Sequence, residues 1–191
     1  IAVLDDFEAT ALRPLVRSWG DVRVTAVPTI YKKLRISDND NVGWGTIDLP
    51  QQELHTQACW LWLDEKPMSE LKRDEISVAL QGLAHLLPNV ASLYLMCDPR
   101  DLGVTSEIKS PFTAAPTIYI YDRFPGGVGL AERLYSIYPQ ILDASVALAT
   151  NCACLDGCPS CVGPPVDPGV RTKAHTLALL QLDTNVPVVA A

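Results

Sequence analysis

Hydrophobic and polar positions along the chain predict strands in its first third and mainly helices after it. Val22–Val27 alternates β-branched and polar side chains, as a strand does, and Thr29–Ile36 predicts a second strand. Ser37–Asn41 is a cluster of turn-forming residues, and Gly45–Leu49 predicts a further short strand. Before these elements, a weak pattern over Glu8–Trp19 predicts a helical turn.

The strongest strand signal lies at Leu54–Leu63, where two sets of side chains alternate. One face would carry Leu54, Thr56, Ala58, Trp60 and Trp62. The other face would carry His55, Gln57, Cys59, Leu61 and Leu63. The second face also becomes apolar toward the end of the strand, which predicts burial on both sides there. We expect Trp44, Trp60 and Trp62 to pack in the core rather than to stack on bases.

Helical spacing dominates the rest of the chain. Ser69 is expected to cap a helix that Pro88 ends, because proline lacks the N–H that a helix interior needs. The apolar run Val90–Met96 fits a helix or a strand. The remaining pattern predicts a polar loop over 105–115, a strand over 117–121, and helices over 127–138, 139–149 and 172–182.

This order of elements predicts an α+β (mixed α/β) fold, in which an antiparallel or mixed sheet packs against helices. We expect one domain over residues 1–184, strand-rich over 1–65 and helix-rich over 66–184, followed by a tail over 185–191. No stretch reaches 18 apolar residues, so no membrane-spanning helix is expected. The first residue is Ile rather than Met and no signal peptide follows, so we expect a cytoplasmic piece of a larger protein.

Composition narrows the class of function. The 191 residues include 15 basic and 22 acidic side chains, a net charge of −7, which argues against a module that coats nucleic acid through bulk positive charge. The sequence contains no GxxxxGK[ST] loop for nucleotide phosphates, no GxSxG nucleophile turn and no HExxH zinc helix. We therefore assign no catalytic residue to this chain.

Four of the six cysteines lie close together, at Cys152, Cys154, Cys158 and Cys161. Four thiolates satisfy a tetrahedral Zn²⁺ completely, so the spacing favours one closed, structural zinc site in a knuckle between two C-terminal helices. Two local disulfides, an iron–sulfur cluster or four metal-free cysteines remain alternatives. The other two cysteines, Cys59 and Cys97, lie in apolar stretches and are expected in the core.

Two segments are candidate contacts for nucleic acid. The densest basic segment is Tyr31, Lys32, Lys33 and Arg35, which on a strand could stack a base and hold phosphates, or could be a solvated edge strand. The turn that contains Arg123, Gly126 and Gly127 precedes a helix, whose N-terminal N–H groups could bind a phosphate. The alternative for this turn is a tight connection between a strand and a helix.

A third group of residues raises an enzymatic alternative. Asp98, Asp101 and Asp122 could hold a divalent cation, as in a metal-dependent nuclease. The alternative is an Asp-Pro turn in which Arg100 pairs with a neighbouring acid. The acidic balance of the chain also suits a protein-interaction module.

Several motifs in order along the chain carry a resemblance to a known family. They are Asn41–Gly45, His55–Trp60, Gly82–His85, Leu95–Gly103, Tyr121–Gly129 and Cys158–Val162. Together they resemble the C-terminal zinc-binding domain of mitomycin repair factor A (MrfA)-like DEAD/DEAH-box helicases, over roughly Tyr31 to Leu182. Relatives often carry a longer stretch ending in Leu-Asp-Lys before the last helix, whereas here Gly163–Arg171 is short and Lys173 takes the place of that lysine.

The resemblance implies that the four cysteines bind zinc and that the chain is an accessory domain of an ATP-dependent DNA helicase in DNA repair. Its partners would be DNA, through the parent helicase, and the RecA-like motor domains of the same protein, with no membrane involved. Relatives also occur in phage-defence systems, so a module that docks another protein of a defence complex is an alternative.

Overall fold

A five-stranded antiparallel sheet forms the centre of the fold. The computed structural model describes residues 1–12, 15–63, 72–165, 167 and 169–184. The sheet consists of β1 (Ala2–Leu12), β2 (Leu15–Ala26), β5 (Gln52–Leu63), β6 (Leu102–Glu107) and β7 (Thr117–Asp122), in the spatial order β1-β2-β5-β7-β6. Between β2 and β5 the chain forms a separate antiparallel hairpin from β3 (Ile30–Leu34) and β4 (Asn41–Thr46).

Helices follow the long strand β5 and cover one face of the sheet. The α-helices of the described residues are α1 (Arg73–Leu95), α2 (Leu130–Ser136), α3 (Tyr138–Asn151) and α4 (Thr172–Thr184). α1 packs against α3, α4 and β6, while α2 packs against β5 and β2. The predicted α+β fold, with an antiparallel sheet and helices on either side of the cysteine segment, is confirmed.

Both faces of β5 are buried over its second half, as its alternation predicts. Toward the helices, Cys59, Leu61 and Leu63 join the main core. On the opposite face, Trp60 packs with Val22, Ala58 and Tyr119 in a second, smaller cluster. The loop after β6 covers this cluster, because the ring of Phe112 meets Trp60 edge-on and Ser110 Oγ lies 2.7 Å from Tyr119 Oη.

The tryptophans do not share one environment. Trp60 is fully buried and Trp62 is half-buried against the second cluster, as expected. The expectation for Trp44 is wrong, because it lies on β4 of the separate hairpin and is 64% exposed. Cys59 is a core residue as predicted, and burial raises the pKa of its thiol to about 12.

The prediction that Pro88 ends the first long helix is wrong, because α1 continues through it to Leu95. Pro88 is buried, and the Asn89 side-chain amide donates to the His85 carbonyl oxygen at 2.8 Å, close to the interrupted turn. Burial of the flanking apolar residues Leu87 and Val90 compensates for the lost backbone hydrogen bond. The ambiguous run Val90–Met96 is therefore helical almost to its end.

Other differences arise from pairing between distant strands. Within the predicted helical turn over Glu8–Trp19, residues 8–12 lie in β1 and residues 15–19 lie in β2 instead. β4 begins at Asn41, earlier than the predicted Gly45, and the predicted loop over 105–115 begins inside β6. The predicted cap Ser69 and the tail over 185–191 lie outside the described residues.

α1 is long and apolar enough, by length and composition, to cross a membrane. Its most apolar window has a mean hydropathy of 1.3, and 61% of that window is buried inside the fold. The buried positions pack against the sheet and the other helices, which is the arrangement of a core helix.

Candidate metal centre

The four clustered cysteines lie in the loop that connects α3 to α4. Cys152 follows the last residue of α3, and its N–H donates to the Leu148 carbonyl at 3.2 Å, so the helix end places this first thiol. A tight turn places the last two thiols, because the N–H of Cys161 donates to the carbonyl of Cys158 at 3.0 Å. The predicted position between two C-terminal helices is confirmed.

The spacing of the thiols fits one tetrahedral ion. The Sγ atoms of Cys152 and Cys158 are 3.6 Å apart, those of Cys154 and Cys161 are 3.4 Å apart, and those of Cys158 and Cys161 are 3.6 Å apart. All four lie within 4.8 Å of one another. With Zn–S bonds of about 2.3 Å, the sulfurs of a regular tetrahedron lie about 3.8 Å apart. The four thiols therefore fit Zn²⁺ with only small movements.

The alternatives to zinc fit this geometry less well. All four cysteines are free, and their sulfurs stand well beyond the roughly 2.05 Å of a disulfide bond. An iron–sulfur cluster contains several iron and sulfide atoms, so it holds its cysteine ligands farther apart than a single ion does. One ion with four thiolate ligands has no open coordination position for a substrate, which is the arrangement of a structural site.

The acid–base properties of the thiols couple metal binding to the loss of protons. Hydrogen bonding, first from the backbone of Cys154, lowers the pKa of the Cys152 thiol to about 7. Desolvation, together with the neighbouring thiol of Cys161, raises the pKa of the Cys154 thiol to about 12. Four thiolates this close repel one another, so all four can be deprotonated only when a cation lies between them.

Two side chains outside the cysteine motif hold the ligand loop in place. Lys173, in the first turn of α4, donates from Nζ to the carbonyl oxygens of Cys152 at 2.6 Å and of Cys154 at 3.0 Å. His85, on α1, donates from Nε2 to the carbonyl of Pro159 at 2.8 Å. Sequence reasoning assigned neither role, because the contacts join residues far apart in the chain. The loop is thus tied to two helices as well as following a third.

Close packing of the backbone explains two glycines near the site. Gly157 has φ of +133°, and a Cβ placed there would lie 2.5 Å from the Gly163 carbonyl oxygen. Gly82 faces α4, where a Cβ would collide with Thr176 Oγ1. The first glycine lets the loop fold back on itself, and the second lets α1 approach α4 closely.

The glycine turn before α2 does not offer a phosphate site. The carboxylate of Asp122, at the end of β7, accepts from the N–H groups of Val128 at 2.7 Å, Leu130 at 3.2 Å and Ala131 at 2.9 Å. A protein carboxylate thus already fills the anion position at the start of α2. The geometry supports the tight-turn alternative.

The glycines of this turn are also engaged internally. Gly126 donates to the carbonyl of His55 at 2.8 Å, and Gly127 donates to that of Phe124 at 3.0 Å. The side chain of Arg123 is exposed beside them. The backbone N–H groups of Gly126 and Gly127 are therefore already used within the protein. Of the three residues predicted here as nucleic-acid contacts, Arg123 is the one whose side chain is exposed to solvent.

The carboxylates of the three aspartates of the nuclease alternative do not converge on one metal position. Asp98 pairs with Arg100, whose Nη2 lies 2.9 Å from Asp98 Oδ2, and this hydrogen bonding lowers the pKa of Asp98 to about 2. Asp101 accepts a hydrogen bond from the backbone N–H of Asp98. Asp122 is fully buried, and its carboxylate is bound to the N–H groups at the start of α2. Among the described residues, the four cysteines are the only cluster suited to hold a metal. The nuclease hypothesis is therefore unsupported.

The basic segment lies on the separate hairpin. Tyr31, Lys32 and Lys33 are exposed on β3, and Arg35 follows it and pairs with Asp38 at 3.0 Å. Lys32 Nζ lies 5.6 Å from the centre of the Trp44 ring, and Lys33 Nζ lies 5.7 Å from that of Tyr31. The structure thus adds Trp44 to this surface, which sequence reasoning placed in the core.

Comparison with known proteins agrees with the fold and the metal centre. The family of the MrfA Zn-binding domain matches residues 83–162, which include all four clustered cysteines. A Bacillus subtilis protein named as the uncharacterized ATP-dependent helicase YprA is 41% identical over 162 residues, covering 85% of this chain and 21% of that protein. An uncharacterized protein of Methanocaldococcus jannaschii is 33% identical over 86 residues, covering 44% of this chain and 77% of that protein.

A solved structure extends the agreement to the whole fold. The crystal structure of the DUF1998 helicase MrfA bound to DNA matches with a TM-score of 0.79 and 38% identity, over 95% of this chain and 24% of that chain. This chain thus spans about a quarter or less of the length of the two helicases. Cys152, Cys154, Cys158 and Cys161 lie within the matched residues and could hold the zinc ion of this domain. On these grounds the chain belongs to the family of MrfA zinc-binding domains.

Proposed function

We propose that this chain is a zinc-stabilised accessory domain of an ATP-dependent DNA helicase, which positions DNA or braces the motor during DNA repair in the cytoplasm. The observation that carries the proposal is the match over 95% of this chain to part of a DNA-bound helicase. The identity of 41% to a second helicase supports it. The repair role follows the family resemblance of the motifs.

The zinc site supports a bracing role rather than a catalytic one. Four thiolates close the coordination shell, so the ion cannot bind a substrate or activate a water. Its contribution is to join α3, α4 and the loop that His85 ties to α1. A rigid body of this kind can transmit force between domains, or can hold a DNA strand in position, while other domains hydrolyse ATP. RecA-like motor domains of a longer chain would supply that hydrolysis, since this sequence has no phosphate-binding loop motif.

Metal content and melting temperature test the structural role. We expect about one zinc per purified chain, and we expect Cys158→Ser to lose the metal and to melt at a lower temperature. Cys97→Ser is the matched control, because Cys97 is half-buried and lies outside the cluster. A metal-free wild-type chain, together with unchanged melting of the Cys158 variant, would refute the structural site.

Salt dependence tests the DNA role in the full helicase that contains this domain. Charge reversal at Lys32, Lys33 and Arg35 should weaken DNA binding and flatten its dependence on salt, because fewer counterions are then released. Lys109→Glu is the control, since Lys109 is an exposed lysine in the loop after β6. An unchanged salt slope in the triple variant would remove the basic segment from the DNA contact.

A further inference from the structure

The β3–β4 hairpin (residues 30–46) exposes side chains that proteins normally bury. Trp44 and Ile30 are each 64% exposed, and Tyr31 is 41% exposed. The two strands make their main contacts with each other and stand apart from the five-stranded sheet. An exposed group of aromatic and apolar side chains on a projecting ribbon is typical of a binding surface.

Each aromatic ring on this hairpin is accompanied by a lysine. Lys32 pairs with Trp44 across the two strands, and its ammonium lies 5.6 Å from the ring centre. Lys33 places its ammonium 5.7 Å from the ring of Tyr31. Neither lysine forms an ion pair with a described residue, whereas Arg35 does. The rings are thus paired with available positive charge in a chain whose net charge is −7.

Glycines lie opposite Tyr31 and Lys33 on one side of the ribbon. Gly45 pairs with Tyr31 and Gly43 pairs with Lys33 across the strands. A Cβ at Gly45 would lie 2.5 Å from the Tyr31 ring, so that ring rests directly on the opposite backbone. Trp44 alternates with these glycines along β4 and projects from the other side. The hairpin therefore presents one ring and one cation on each of its two sides.

We propose that the β3–β4 hairpin binds unpaired nucleotides of a DNA strand, with a base stacked on Trp44 and with Lys32, on the same side of the ribbon, at a flanking phosphate. Proteins bind single strands through aromatic rings next to cations, because every base has a face that can stack and every nucleotide carries a phosphate. In duplex DNA the base faces are already stacked on one another. This inference rests on the proposed function and names the part of the chain that touches DNA.

A protein partner is the competing occupant, because Ile30 and Leu34 are also exposed. The lysines favour nucleic acid, since a partner that covers both rings must also neutralise two ammonium groups. The experiment should therefore separate stacking from general apolar association.

The test titrates the chain with a fluorescein-labelled dT16 oligonucleotide at low salt and measures anisotropy and tryptophan fluorescence. We expect dT16 to quench the tryptophan signal and to bind more tightly than a 16-base-pair duplex. Trp44→Ala should weaken dT16 binding by about fivefold or more, and Trp44→Phe should retain most of it. Lys32→Ala should reduce the salt slope by about 0.7, while Lys109→Ala should not.

Three results would overturn the stacking surface. One is equal dT16 affinity of wild-type and Trp44→Ala chains that melt at the same temperature. Another is equal affinity for duplex and single strand. The third is a Trp44→Ala variant that changes only the sedimentation of the chain, which would indicate a protein-docking surface. In each case the proposed accessory role stands, because the zinc content and the melting of the Cys158→Ser variant test it separately, and charge reversal of the hairpin tests only whether the basic segment contacts DNA.

Discussion

Lys173→Met should weaken zinc binding by about 10- to 100-fold, although Lys173 is not a ligand. Its ammonium holds the carbonyl oxygens of Cys152 and Cys154 at 2.6 and 3.0 Å, so it fixes the backbone that carries two of the four thiols. It also stands beside a centre with four thiolates and one Zn²⁺, whose charge is −4 + 2 = −2. Methionine preserves much of the length of the side chain but removes the donor and the charge.

The magnitude follows from the contacts. A hydrogen bond with a charged partner contributes about 1.5–3 kcal/mol. Lys173 is half-buried and makes two, so solvent screening brings their combined contribution to about 2–3 kcal/mol. This equals about 30- to 150-fold in affinity before the helix-dipole cost is subtracted and about 10- to 100-fold after it, which is the effect of removing an outer partner of a metal ligand. An opposing effect is smaller, since a cation in the first turn of α4 costs about 0.3–1 kcal/mol against the helix dipole.

A chelator competition assay measures the zinc dissociation constant of each variant. Lys173→Arg should lose less affinity than Lys173→Met, because arginine keeps the charge and the donors. Lys109→Met should bind zinc like the wild-type chain. Unchanged zinc affinity in Lys173→Met, or equal losses in Lys173→Met and Lys109→Met, would refute this account of the lysine.

Three further predictions follow from the site and its supporting turns. Gly157→Ala should destabilise the zinc-loaded chain by about 1–3 kcal/mol, measured by calorimetry, because its Cβ would meet the Gly163 carbonyl at a positive φ; an unchanged melting temperature would contradict this. Asp122→Asn should cost about 2–4 kcal/mol in urea unfolding, because one of its oxygens becomes a donor facing backbone N–H groups; full stability would mean that the carboxylate does not hold α2. Zinc affinity should rise at least about tenfold per pH unit between pH 6 and 8, since the Cys154 thiol, with a pKa of about 12, keeps its proton until metal displaces it; chelator titrations independent of pH would rule out this proton competition.

The sequence alone determined the features whose cause is local. All four candidate metal ligands lie within residues 152–161, so the sequence alone predicted a closed site with four thiolate ligands for zinc. The alternation along β5 predicted its two buried faces, because side chains of a strand point to opposite sides at every step. The last helix and the strand at β7 were likewise predicted from short-range pattern.

Only the tertiary structure decided the features that depend on distant partners. Lys173 and His85 support the zinc loop because α4 and α1 bring them to it. The anion position before α2 is filled by Asp122, which arrives on β7 and could equally have left it open to a phosphate. Trp44 has the hydrophobicity of a core residue, but its exposure depends on what packs against its strand. Hydrogen-bond partners and burial are set by the whole fold, and local pattern does not specify them.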